Sequence, residues 1–97
     1  MDVEFTDESL ERLERDTRYL GGFSLAIVRS YRKKMWFIRQ AMDERDFYNS
    51  KGLHFEKLKG DRAHQRSMKL NDQWRLVLEL IGNPEKTAKI IEIEDYH

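Results

Sequence analysis

The chain has 97 residues, which predicts one small domain over 1–97 with no second core to divide off. It has no cysteine, so neither a disulfide framework nor a thiolate metal site is possible, and His54, His64 and His97 are too scattered for a zinc site. Lysine plus arginine balances aspartate plus glutamate, 18 against 18, so net charge gives no sign of a nucleic-acid partner.

In chain order, Met1-Asp2-Val3-Glu4-Phe5 is acidic and lacks the apolar centre of a secretory signal. No apolar run approaches a membrane span, so a cytoplasmic protein with no membrane partner is expected. Val3-Glu4-Phe5 reads as a short edge strand. Thr6 or Asp7 can cap a helix by accepting from its unpaired backbone N–H groups. Leu10, Leu13, Thr17 and Leu20 recur at helical spacing, and Gly21-Gly22 stops the run. Ser24 can cap a second helix, expected from about 24 to about 45, with Phe23 and Val28 placed as a hydrophobic staple. Val28, Tyr31, Met35, Ile38 and Met42 form its apolar stripe, read as core packing. Arg29, Arg32, Lys33, Lys34 and Arg39 cover its other side, either solvated or in contact with a ribosome.

Residues 46–52 read as a loop, and beyond it the period changes from helical to two. Met68 and Leu70 fall on one side of a strand, Lys69 and Asn71 on the other. Trp74, Leu76, Leu78 and Leu80 share one side of the next strand, opposite Arg75, Val77 and Glu79. Asn71-Asp72-Gln73 and Gly82-Asn83-Pro84-Glu85 read as turns, and residues 87–94 as the last strand. The expected fold is α+β: two N-terminal helices packed on the leucine face of a small antiparallel sheet. The face with Arg75 and Lys69 is expected to be open and concave.

Charge is sorted along the chain. Asp2, Glu4, Asp7, Glu8, Glu11, Glu14 and Asp16 crowd the first sixteen residues. Lys57, Lys59, Arg62, Arg66, Lys69 and Arg75 outnumber Glu56, Asp61 and Asp72 in 56–75. Phosphate binding responds to local potential, so an acidic helix elsewhere need not cancel a basic groove. A solvated surface that happens to be sorted would look the same. Arg75 suits a phosphate, because guanidinium stays charged and forks onto two oxygens. Asp95, Tyr96 and His97 add a carboxylate, a phenol and an imidazole, and Asp95 and His97 point the same way if the strand stays regular. Such a set can cleave RNA without metal or cofactor: a base takes the 2′-hydroxyl proton, a cation stabilises the phosphate, an acid protonates the 5′-oxygen.

Leu58-Lys59-Gly60-Asp61-Arg62, the Ser-x-Lys-x-Asn run at 67–71, Trp74-Arg75 and the closing Glu94-Asp95-Tyr96-His97 stand in order through the C-terminal half. Together they resemble the HigB toxins, plasmid-maintenance killer proteins of the RelE/ParE superfamily. The resemblance implies a RelE-like microbial ribonuclease fold. It implies a ribosome-dependent mRNA endoribonuclease that arrests growth, neutralised by a HigA-like helix-turn-helix antitoxin; the charge pattern offers the acidic first helix or the basic sheet face as its docking surface. The family's catalytic aspartate and histidine map onto Asp95 and His97, with Tyr96 stacking on a base or donating a hydrogen bond. Lys57, Lys59, Arg62 and Lys69 would hold neighbouring phosphates. The family often carries His-Pro-Leu-Lys-Gly, whereas here Glu56 stands three residues before Lys59, with His54 two residues earlier. Either Glu56 replaces the imidazole, or His54 reaches the site through a bulge, or neither is needed. His64 is expected to be exposed. Two other readings are a ParE-like poison of DNA gyrase and a non-catalytic module docking an acidic partner.

Overall fold

The computed structural model describes residues 1–96. Strand β1 (Asp2–Phe5) leads into helix α1 (Glu8–Arg15), then α2 (Leu25–Gln40) and a short α3 (Arg45–Asn49). Strands β2 (Glu56–Lys57), β3 (Arg66–Lys69), β4 (Trp74–Ile81) and β5 (Thr87–Asp95) follow. The sheet order is β1-β5-β4-β3-β2. All pairs are antiparallel except β1 with β5, so the sheet is mixed, not purely antiparallel as expected. No helix among the described residues is long and apolar enough to cross a membrane.

Asp7 is the cap of α1, its carboxylate accepting from the Ser9 N–H at 2.7 Å. The helix stops at Arg15, well before Gly21-Gly22. Asp16 turns extended and its carboxylate accepts from the Arg18 N–H at 3.0 Å, a local bond that competes with another helical turn. Leu10 and Leu13 are buried, while Thr17 is exposed. Ser24 caps α2 by accepting from the Ile27 N–H at 3.3 Å. Val28, Tyr31, Met35 and Ile38 are fully buried along it. Arg32 is not part of a solvated basic face. It donates to the carbonyls of Leu13, Asp16 and Tyr19, at 3.0, 2.9 and 3.3 Å, and so caps the end of α1.

Helix α2 ends at Gln40, short of residue 45, and this leaves Met42 90% exposed instead of in the core stripe. Asp46 holds the break by accepting the Met42 N–H at 2.7 Å. Helix α3 stands where a loop is expected. Its Phe47 is buried between Phe37 and Phe55, with ring centroids 6.0 and 5.2 Å away.

Leu76, Leu78, Met68, Ala88 and Ile90 are buried on the helix-covered side of the sheet. Val77 pairs with Glu92 but Leu78 pairs with Ile90, so Ile91 is one extra residue in β5. This bulge inverts the alternation of β5. Ile90 and Ile93 both reach the core side, and Glu92 and Glu94 go to the other side, beside Val77 and Arg75. Thr6, at the end of β1, donates its hydroxyl to the Ile90 and Ile91 carbonyls at 3.2 and 3.0 Å, satisfying acceptors at the bulge.

Candidate active site

Arg75 is the centre of the sheet face away from the helices. It is only 9% exposed, which corrects the expectation of an open face there. Its surroundings are polar. Nε donates to Ser67 Oγ at 2.8 Å, a diagonal contact from β4 to β3. Nη2 donates to the carbonyl of His54. Glu56 Oε2 lies 3.8 Å from the same nitrogen. The Tyr96 ring centroid is 5.5 Å from the guanidinium carbon. Among the described residues Nη1 has no hydrogen-bond partner. The guanidinium is therefore held through Nε and Nη2.

Local structure explains the cradle. Residues 51–53 form a 3₁₀ turn closed by His54 in the left-handed region, at φ 48° and ψ 53°. Histidine visits that region more readily than most residues. Leu53 and Phe55 are buried on either side, so the segment is pinned and the His54 carbonyl is fixed toward Arg75. His54 thus contributes backbone, and it sits before β2 rather than in a bulge within it. Glu56 pairs with Ser67 across β2 and β3, so it shares the face of Arg75.

The other expected site residues divide. Lys69 pairs with Arg75, and its Nζ lies 3.1 Å from Asp72 Oδ1. Arg62 reaches over β5, its Nη1 2.9 Å from Glu94 Oε1. Lys59 is exposed just before the 3₁₀ turn of residues 60–62. Lys57 pairs with Arg66, so it leaves the strand on the opposite side from Glu56. Tyr96 is tied by its backbone N–H to the Gln73 carbonyl at 2.6 Å. Asp95 pairs with Trp74 and shares its side of the sheet, with Gln73 Nε2 donating to Asp95 Oδ2 at 3.3 Å. The bulge therefore places Glu94, rather than Ile93, opposite Arg75, and puts Asp95 on the other side of the sheet. His97 lies outside the described residues. His64 is exposed, and Trp74 packs edge-on against Phe23 with centroids 5.5 Å apart. No three His, Asp or Glu side chains converge as metal ligands among the described residues.

Reasoning from sequence missed three contributors. Ser67 and Glu94 lie in the runs at 67–71 and 94–97, but their roles come from cross-strand register. The His54 carbonyl carries no side-chain signal at all.

Comparison with known proteins agrees with this architecture. A solved YoeB/ParE toxin from Agrobacterium tumefaciens superposes with a TM-score of 0.58 over 100% of both chains at 16% identity, a likeness of fold. No curated protein matches the chain in sequence. The family model described as "RelE-like toxin of type II toxin-antitoxin system HigB" matches residues 3–97. A type II toxin has an antitoxin for a partner, and it is to this HigB-like family of RelE-like toxins that the chain belongs.

Proposed function

We propose that the chain is a metal-independent endoribonuclease that cuts translated mRNA on the ribosome and so arrests growth in the cytoplasm. The observation that carries this reading is the immobilised Arg75 guanidinium, anchored on Ser67 and the His54 carbonyl with Glu56 and Tyr96 at its rim. A cation fixed before substrate arrives can stabilise charge developing on a phosphate without reorganising during reaction. Among the described residues Glu56 is the carboxylate closest to it, and it takes the 2′-hydroxyl proton. Tyr96 stacks on a base or donates to the phosphate. His97 protonates the 5′-oxygen, as the family resemblance implies; the resemblance gives Asp95 a part as well, although its strand position is on the Trp74 side. Lys59, Lys69 and Arg62 hold flanking phosphates, with Lys57 near the strand margin. A HigA-like helix-turn-helix antitoxin neutralises the toxin.

The test is mRNA cleavage on programmed ribosomes by the parent, Arg75→Ala, Asp95→Asn and a deletion of His97, with DNA supercoiling assayed in parallel. Arg75→Ala is expected to lose on the order of a hundredfold in rate, roughly 3 kcal/mol of transition-state stabilisation. Deletion of His97 is expected to lower the rate strongly with stability intact. Parental cleavage by Arg75→Ala overturns its role on the phosphate. Inhibition of supercoiling without RNA cleavage favours the gyrase reading instead.

A further inference from the structure

The face that carries Arg75 is less basic than residues 56–75 alone suggest, because β5 lays Glu92 and Glu94 across it. Arg62 Nη1 is 2.9 Å from Glu94 Oε1, and Nη2 is 3.9 Å from Glu92 Oε1. Arg62 Nε donates to Gln65 Oε1 at 3.1 Å, so each guanidinium nitrogen already faces a protein oxygen. Glu94 is also the cross-strand neighbour of Arg75.

We infer that Glu92 and Glu94 act as an internal counter-anion, which occupies Arg62 and sets how tightly this face takes a single-stranded RNA. The inference rests on the RNA reading above. A carboxylate and a phosphate compete for the same guanidinium fork, so RNA must displace the glutamates to use Arg62. Displacement is feasible. The side chains of Arg62, Glu92 and Glu94 are 40%, 52% and 26% exposed, and exposed pairs of this kind are weak because water screens them. Arg75 differs, being buried and hydrogen-bonded to neutral oxygens that a phosphate does not replace, with the Glu56 carboxylate farther off at 3.8 Å. The two arginines thus have separate duties: Arg75 is fixed in place, and Arg62 is released only to a strand already held nearby. Free RNA then binds poorly, while RNA presented at high effective concentration enters.

The test is binding of a 2′-O-methyl RNA oligonucleotide, which lacks the hydroxyl needed for cleavage, over a range of potassium chloride concentrations. The forms compared are the parent, E92Q/E94Q, R62Q and E92Q/E94Q/R62Q, each checked by thermal melting. E92Q/E94Q is expected to bind roughly fivefold tighter. Its plot of log K against log salt should steepen by about 0.7, one added phosphate contact on a single strand. The triple variant is expected to lose that gain and to bind no tighter than R62Q. If the double variant does not fold, Glu94→Gln carries the same comparison. Parental affinity in the double variant, or a gain that survives in the triple, overturns the inference while leaving the RNA reading in place. Absence of binding by every form, E92Q/E94Q included, overturns the inference, whereas the RNA reading falls only if the parent fails to cleave mRNA on programmed ribosomes.

Discussion

The hydroxyl of Ser67 gives Arg75 its direction. Ser67 is 1% exposed, and its oxygen is the acceptor for Arg75 Nε at 2.8 Å. Ser67→Ala leaves a charged donor unpaired in a buried place, which costs about 1–3 kcal/mol. It also frees the guanidinium to rotate about its anchor on His54. The expected outcome is a lower urea midpoint and a kcat for RNA cleavage reduced roughly tenfold, with KM little changed because the flanking cations still bind. A parental kcat in a folded Ser67→Ala protein would show that Arg75 needs no such fixing. At this scale the sequence is legible in part. The period of two in 74–80 separates Arg75 from Leu76 and Leu78 without any structure. Contacts across strands are not legible, because Ser67 and Arg75 are eight positions apart and meet only through the register of β3 on β4.

Among the elements, the long periodic ones are readable and the stops are not. Helix α2 and strands β4 and β5 stand where the apolar pattern places them. Helix α1 ends early because Asp16 binds its own following backbone, and α3 spans only 5 residues, too few to show a period. The bulge in β5 is hidden by composition. Ile90-Ile91-Glu92-Ile93 offers an apolar residue to the core in either alternation. Thr6 supplies part of what the bulge needs, since its hydroxyl donates to both carbonyls there. Thr6→Val keeps the shape and removes the donor, so unfolding free energy is expected to fall by about 1 kcal/mol in urea melts. Hydrogen exchange at 90–92 should speed up in the same variant. Unchanged protection would mean that the bulge is held by strand pairing alone.

Across the whole molecule, α2 is the piece to which the others are tied. Tyr31 donates to the Leu10 carbonyl at 2.7 Å, and Ser30 to the Leu70 carbonyl at 2.8 Å, linking α1 and the end of β3 to one helix. Burial pushes the Tyr31 phenol well above its ordinary range, so it stays a donor. Surface carboxylates hold the junctions between elements. Asp7 is lowered by the Ser9 hydroxyl and then its N–H, Asp16 by the Arg18 N–H and then Arg12, and Asp43 by the Arg45 side chain and then its N–H. A carboxylate lowered in the folded state stabilises above its unfolded pKa, near ~3.9, and loses that contribution as pH falls through the folded value. The D7N/D16N/D43N variant is therefore expected to lose less stability than the parent between about pH 4 and pH 2 in acid melts. An identical acid limb would assign acid unfolding to other carboxylates. At this scale the single extra residue at Ile91 has a further consequence. The final strand carries two reading frames: Ala88 and Ile90 spell the core in one, and Glu92, Glu94 and Tyr96 address the outer face in the other. Were Ile91 paired with Val77 instead, Glu92 and Glu94 would turn toward the helices and Ile93 away from them, with the hydrophobic text upstream left intact. One residue thus joins the two vocabularies, and the outer face can be read only in the frame it sets.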